Sequence, residues 1–452
     1  MITVLSGCAV VTMDPDRTEH ATGYLVVDDE RIVAVGNGPA PRLLGDVRYV
    51  DASGCLLTPG LVNTHQHLYQ WVTRGYAVDD GLFDWLRTSY PVWAAMDAGL
   101  VHAASLGALA WLARTGCTTT TDHHYVFPAS GGDVLGATIQ AARGVGLRFH
   151  PTRGSMDLGQ SAGGLPPDGV VEDLDAILER TEEAIAAHHD PHPGAMVRMG
   201  VAPCSPFSVS PELLTRAAEL ARVHGVPLHT HLAETLDEDA YCRDRFGCSP
   251  VEYLDRLGWL GEDVWLAHAV HLDDAAVKKL GSTRTGVAHC PSSNARLGSG
   301  IACVRDLREA GARVGLGVDG SGSNEAGSLL EEVRHAVLFA RARGGPRAMA
   351  VRDALELATL GGAEVLGRAD ELGSLEPGKL ADVALWRLDG LPHAGIDDPV
   401  AALVLGSPPP LELLLVHGRT VVERDQLLTV EEASVTREVV AACNELASRL
   451  GL

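Results

Sequence analysis

Eight strand-length runs, most of them apolar, recur along the middle of the chain, at 56–64, 118–123, 147–153, 197–205, 226–232, 264–269, 286–290 and 313–318, separated by helical stretches dense in Ala and Leu. Strand-length apolar runs alternating with helices are the pattern of βα units around a parallel sheet. Eight such units predict a (β/α)8 barrel, a TIM-type α/β fold, over residues 58–366. One unit shows the local logic: Ser210 can cap a helix through Pro211 and Glu212, residues 213–223 carry it, and His224-Gly225 ends it before the next strand.

The ends of the chain have a different texture. Residues 1–57 alternate β-rich runs (2–11, 23–27, 31–35, 48–50) with turns, which predicts a small antiparallel sheet. After about residue 366 the turn Gly373-Ser374-Leu375-Glu376-Pro377-Gly378 leads into further β-rich runs at 380–386, 413–416 and 419–422. The segment 367–430 can therefore complete a small β-sandwich with the N-terminal residues, and the barrel is then inserted between its halves. Residues 431–452 read as a closing helix.

The formal net charge of -23 excludes a nucleic-acid backbone or an anionic membrane surface as an expected partner. Nine cysteines without a CxxC pair indicate neither a disulfide framework nor a zinc ribbon. The first positive side chain is Arg17, so no basic region precedes the first apolar residues, and no run approaches the ~18 apolar residues of a membrane span. These features predict a cytoplasmic protein that takes a small-molecule substrate. We expect it to form a homo-oligomer.

Barrels of this kind carry their chemistry where strands end and loops begin. The first run ends in His65-Gln66-His67, whose period-2 spacing puts both imidazoles on one side, ready to chelate one ion. The fifth ends in His229-Thr230-His231-Leu232-Ala233-Glu234, the sixth in His268-Ala269-Val270-His271 and the eighth in Val318-Asp319-Gly320. Histidines or carboxylates at four strand ends on one face predict a metal site. Nitrogen and oxygen ligands without cysteine suit Zn²⁺, with Fe²⁺ as the alternative. An ion held there lowers the pKa of water toward ~7, which makes the site hydrolytic.

With these motifs the chain resembles the amidohydrolase superfamily over nearly its whole length, opening with Pro59-Gly60-Leu61-Val62-Asn63-Thr64-His65-Gln66-His67. The resemblance implies that His65, His67, His231 and Asp319 hold the metal, that Glu234 of the HxxE motif shuttles protons, and that His268 contacts the hydrolytic water. Asp319 would serve as ligand and base, while His229 and His271 would lie outside the ligand set. Binuclear members carry a carboxylated lysine at the fourth strand. Only Lys278, Lys279 and Lys379 occur in the chain, none of them near 197–205, so the likeness is to the mononuclear deaminase branch, with one divalent metal per chain.

Seven of the chain's 21 aromatic residues fall between Tyr69 and Trp93, which suggests a wall on which a flat ring stacks. Trp93 is one candidate contact. Gln70 resembles the glutamine with which guanine deaminase-like enzymes bind a purine edge. Arg153 could hold a carbonyl or an anionic ring oxygen, and His123, Cys204 and Asn294 complete the expected wall. Longer stretches, among them Leu82-Phe83-Asp84-Trp85-Leu86, Thr152-Arg153-Gly154-Ser155-Met156 and His289-Cys290-Pro291-Ser292-Ser293-Asn294, are similar to the 8-oxoguanine deaminase group, which borders the hydroxydechloroatrazine ethylaminohydrolases. Many relatives have a third histidine where this chain has Gln66. The resemblance implies hydrolytic deamination of an amino-substituted purine, 8-oxoguanine first; guanine, isoxanthopterin or an s-triazine is the alternative. A non-catalytic binding barrel and a binuclear ring-opening amidase are the competing classes.

Overall fold

The computed structural model describes residues 1–451. Five strands open the chain: β1 (Ile2–Val11), β2 (Glu19–Asp28), β3 (Arg31–Asn37), β4 (Val47–Asp51) and β5 (Cys55–Pro59). Eight follow in the central part: β6 (Leu61–Asn63), β7 (Cys117–His124), β8 (Arg148–Ser155), β9 (Gly200–Pro203), β10 (Leu228–Leu232), β11 (Val264–His268), β12 (Gly286–His289) and β13 (Arg313–Leu316). Four close it: β14 (Val383–Arg387), β15 (Leu411–Val416), β16 (Arg419–Glu423) and β17 (Gln426–Leu427).

Strands β6 to β13 pair in sequence order, all parallel, as the eight strand-length runs predict. The circle closes where the amide and the hydroxyl of Thr64 both donate to the Leu316 carbonyl, at 2.9 and 2.9 Å. Helices cover the outside of the sheet, so almost every strand residue is buried and the strands need not alternate polar with apolar. The helix Pro211–His224 starts at Ser210, whose side chain accepts from the Leu213 amide, and stops at Gly225 with φ of 65°.

The terminal strands form one sheet in the order β17-β16-β15-β14-β5-β1-β2-β3, with β4 also paired to β1. It wraps a core of its own that includes Leu5, Leu25, Leu57, Val383 and Leu413. The antiparallel pairing expected for the N-terminal half is corrected: β1 runs parallel to both β4 and β5, so the sheet is mixed. Each of those pairs is joined by a connection longer than a hairpin turn, which alternation of strands and turns along the sequence does not reveal.

The run 56–64 is two strands. Cys55–Pro59 pairs with β14 and β1 in the outer sheet, and only Leu61–Asn63 enters the barrel, so the expected division between residues 57 and 58 falls inside β5. Gly60 makes the crossing, where a Cβ would stand 2.2 Å from Thr118 Cγ2. The fourth barrel strand is likewise shorter than 197–205, and Val197 contributes an isolated bridge to Phe149. The closing helix spans Glu432–Leu450.

The two sheets are tied by a buried ion pair. Arg148 of β8 meets both oxygens of Asp382 at 3.0 and 3.1 Å, and its remaining donors go to the carbonyls of Gly194 and Ala195, both at 2.8 Å. A buried guanidinium is tolerated because its donors are so fully used. All nine cysteines are free. Among the described residues no helix is long and apolar enough to cross a membrane.

Candidate metal centre and active site

The strand ends bring His65, His67, His231, His268 and Asp319 together at one end of the barrel, all of them buried. Their hydrogen bonds assign the protons. His67 Nδ1 donates to the His123 carbonyl at 2.7 Å, and His231 Nδ1 donates to the Cys204 carbonyl at 2.7 Å. His229 Nδ1 donates to the Trp265 carbonyl at 2.9 Å, so its Nε2 is an acceptor, and it receives the Nδ1 proton of His65 at 2.8 Å. Each of the three rings therefore turns an unprotonated Nε2 toward the same point.

These lone pairs face one another. His67 Nε2 and His231 Nε2 are 3.1 Å apart, Asp319 Oδ1 lies 3.3 Å from His65 Nε2 and 3.4 Å from His67 Nε2, and His65 Nε2 has no hydrogen-bond partner. Burial lowers the imidazoles' affinity for protons, taking His67 down to about 3 and moving His65 and His231 the same way. Burial opposes the charge on Asp319, but the neighbouring His268, itself raised, helps hold the carboxyl well below its ordinary range. Neutral nitrogen lone pairs packed this closely around a carboxylate repel unless a cation sits among them, so the donor set fits a divalent ion.

His268 and Glu234 stand beside this cluster. Glu234 Oε2 is 3.4 Å from His268 Nε2, and His268 Nδ1 donates to Asn294 Oδ1 at 2.9 Å. Burial pushes the Glu234 carboxyl up to about 7. For His268 burial acts downward, but Glu234 and Asp319 outweigh it and raise the imidazole. The backbone is bent to achieve this placement: Ala233, His268, Ala269 and Asp319 adopt φ of 53°, 75°, 48° and 63°, a region costly for residues with a Cβ.

Two supporting side chains escaped the sequence reading. Glu238 accepts the amides of Ala233 and Glu234 at 2.7 and 2.9 Å, holding the strained turn that aims Glu234. Its signal was present as Thr235-x-x-Glu238, a helix-capping pattern. Ser293 donates to Asp319 Oδ2 at 2.6 Å and leaves Oδ1 facing the imidazoles. His229 is the brace of His65, and His271 donates to the Ser299 carbonyl away from the cluster.

A cavity opens onto the cluster. Gln70 and Cys204 line it as expected, together with His67, His231, Glu234 and Asp319. The remaining expected contacts do not line this cavity. Arg153 is outside this cavity, engaged with both oxygens of Glu172 at 2.8 and 2.8 Å and stacked 3.8 Å over the Phe127 ring. Trp93 sits one layer back, donating to Thr73 Oγ1 at 3.3 Å. His123 stands behind His67 with Nε2 donating to the Ala202 carbonyl at 2.9 Å and Nδ1 without a partner, and Asn294 accepts from His268 through Oδ1 while its Nδ2 has no partner. Of the aromatic cluster at 69–93, Trp85 and Tyr90 reach the cavity, joined by Tyr125 and Phe207 from later loops.

Comparison with known proteins agrees with this geometry. Residues 56–421 match the model described as Amidohydrolase family. An 8-oxoguanine deaminase from Pseudomonas aeruginosa is 46% identical over 401 residues, covering 88% of this chain and 89% of that protein. An isoxanthopterin deaminase from an unknown prokaryotic organism is 36% identical, covering 98% of this chain and 95% of that protein. Among solved structures, an atrazine chlorohydrolase from Arthrobacter aurescens TC1 complexed with zinc superposes with a TM-score of 0.92 at 33% identity, covering 98% of this chain and 100% of that one. The chain belongs to the amidohydrolase family.

Proposed function

We propose that this amidohydrolase is a metal-dependent deaminase of amino-substituted purines, converting 8-oxoguanine and water to urate and ammonia. The observation that carries the reading is the convergence of three unprotonated Nε2 atoms and Asp319 beside a Glu234 carboxyl that titrates near neutrality. The choice of ring is supported by the 46% identity to an 8-oxoguanine deaminase.

His65, His67, His231 and Asp319 would hold one ion, Zn²⁺ by ligand chemistry and by the zinc in a solved relative, with Fe²⁺ as the alternative. When bound, the ion supplies Lewis acidity and brings the pKa of water toward ~7. Asp319, ionised throughout the neutral range, accepts a proton from the attacking water. His268 lies 3.4 Å from Glu234 and 3.9 Å from Asp319, and orients the water between the two carboxyls. Glu234 delivers a proton to the ring nitrogen next to the amine-bearing carbon, which makes that carbon electrophilic. The proton taken by Asp319 then passes to the amine; as the C–N bond breaks and ammonia leaves, the remaining hydroxyl proton returns to Glu234 and the ring carbon keeps the water oxygen as a carbonyl.

The test is ammonia release by metal-loaded protein across 8-oxoguanine, guanine, isoxanthopterin and hydroxylated alkylamino-s-triazines, with alkylamine measured for the last. The highest kcat/KM is expected for 8-oxoguanine. Equal or greater efficiency on triazines would overturn the ordering in favour of a triazine aminohydrolase, the second reading, which a 35% identical hydroxydechloroatrazine ethylaminohydrolase supports.

A further inference from the structure

The tryptophans of this protein show how it treats a buried indole. Trp93, Trp259, Trp265 and Trp386 are almost fully enclosed, and each Nε1 donates to an oxygen, at 3.3, 2.7, 3.0 and 3.0 Å. Trp85 is also buried, yet its Nε1 has no partner. It differs from the others in lining the catalytic cavity. The Tyr90 hydroxyl and the Gln70 Nε2, on two further residues that line the cavity, are buried and unpartnered as well.

The orientation of Gln70 is settled by its other end. Gly322 N donates to Gln70 Oε1 at 3.3 Å, which leaves Nε2 as the free, donating group. Trp85 and Tyr90 project from one helix, Leu82–Trp93, alongside Leu82 and Leu86, so an apolar face carries two isolated polar groups. An unmet buried donor costs more than its hydrogen bond returns, and proteins retain such groups where a ligand meets them. An indole N–H and an amide NH2 can only donate, and the tyrosine hydroxyl donates as readily.

We propose that Trp85 and Tyr90, beside the Gln70 already expected at the ring edge, form a donor wall that binds carbonyl oxygens of the substrate, which makes the substrate class a planar heterocycle with at least two ring carbonyls. The proposal rests on the deaminase reading above and narrows it. 8-Oxoguanine presents carbonyls at C6 and C8, whereas guanine presents only the first. A ring bearing alkylamino groups turns donors toward donors and is rejected on that account.

The experiment uses metal-loaded full-length protein and its Tyr90→Phe and Trp85→Phe variants. Calorimetry gives the affinity for urate, which carries three carbonyls and needs no turnover to bind. Kinetics give the ratio of kcat/KM on 8-oxoguanine to that on guanine. Each variant is expected to weaken urate about tenfold or more and to lower the ratio by a similar factor, the loss appearing mainly in KM. Tyr90→Phe removes a single oxygen and decides the matter if Trp85→Phe fails to fold. Urate affinity within about twofold of wild type in Tyr90→Phe, or equal losses on both purines, would overturn the donor wall. Wild-type protein that releases ammonia from no purine overturns the deaminase reading itself, so the two failures are told apart.

Discussion

Replacing His229 by phenylalanine tests the tautomer chain that prepares His65. The His229 ring stacks on Trp265 with centroids 4.4 Å apart and planes 14° from parallel, and phenylalanine can keep that packing. What it cannot keep is the acceptor for the His65 Nδ1 proton at 2.8 Å. His65 is fully enclosed, so this N–H would be left unmet at a cost of ~1–3 kcal/mol. The ring can escape by moving its proton to Nε2, toward Asp319 Oδ1 3.3 Å away, but that consumes a ligand lone pair. Metal binding must repay the cost by either route. At about 1.4 kcal/mol per tenfold, affinity should fall roughly 10- to 100-fold, the range seen when partners of metal-ligating histidines are removed. Chelator competition on the purified protein measures it. His229→Gln, which restores an acceptor oxygen, should recover part of the loss. Wild-type metal affinity in His229→Phe would refute the reasoning, as would a glutamine variant no better than the phenylalanine one.

Glu234→Gln should lower turnover by ~10²–10⁴ while leaving metal content unchanged, because the side chain moves protons without ligating; wild-type turnover would discard the proton route. A second prediction concerns Glu332, buried, accepting from Ser292 N at 3.0 Å and Asn324 Nδ2 at 2.9 Å, and pushed by burial from its ordinary 4.5 to about 8. A carboxyl raised on folding stabilises the fold fully below its unfolded pKa and loses that contribution as pH rises through the folded value. Urea unfolding of Glu332→Gln between pH 5 and 8 should therefore show a shallower decline of stability with pH than wild type, and parallel slopes would contradict it.

The barrel was readable because burial on both faces writes most of its strands as apolar runs, β7 with its four threonines excepted, and the strand-end histidines stood out against those runs. The split at Gly60 was not, since Cys55–Pro59 and Leu61–Asn63 are equally buried and read as one stretch. The substrate wall was read worst. Arg153 and Trp93 spend their polar atoms on Glu172 and Thr73, and His123 and Asn294 do not line the cavity although His123 Nδ1 and Asn294 Nδ2 have no partner.

By itself the sequence determined the family, the barrel and the residues that surround the metal position, because strand periodicity dictates which side chains reach the catalytic end. The tertiary structure alone decided which nitrogen of each histidine is free, which carboxyl titrates near neutrality and which aromatics meet the cavity. Those properties depend on partners far away along the chain, such as His229 for His65, 164 residues apart. Local spacing carries no record of such contacts, and only the closed barrel brings them within hydrogen-bonding distance.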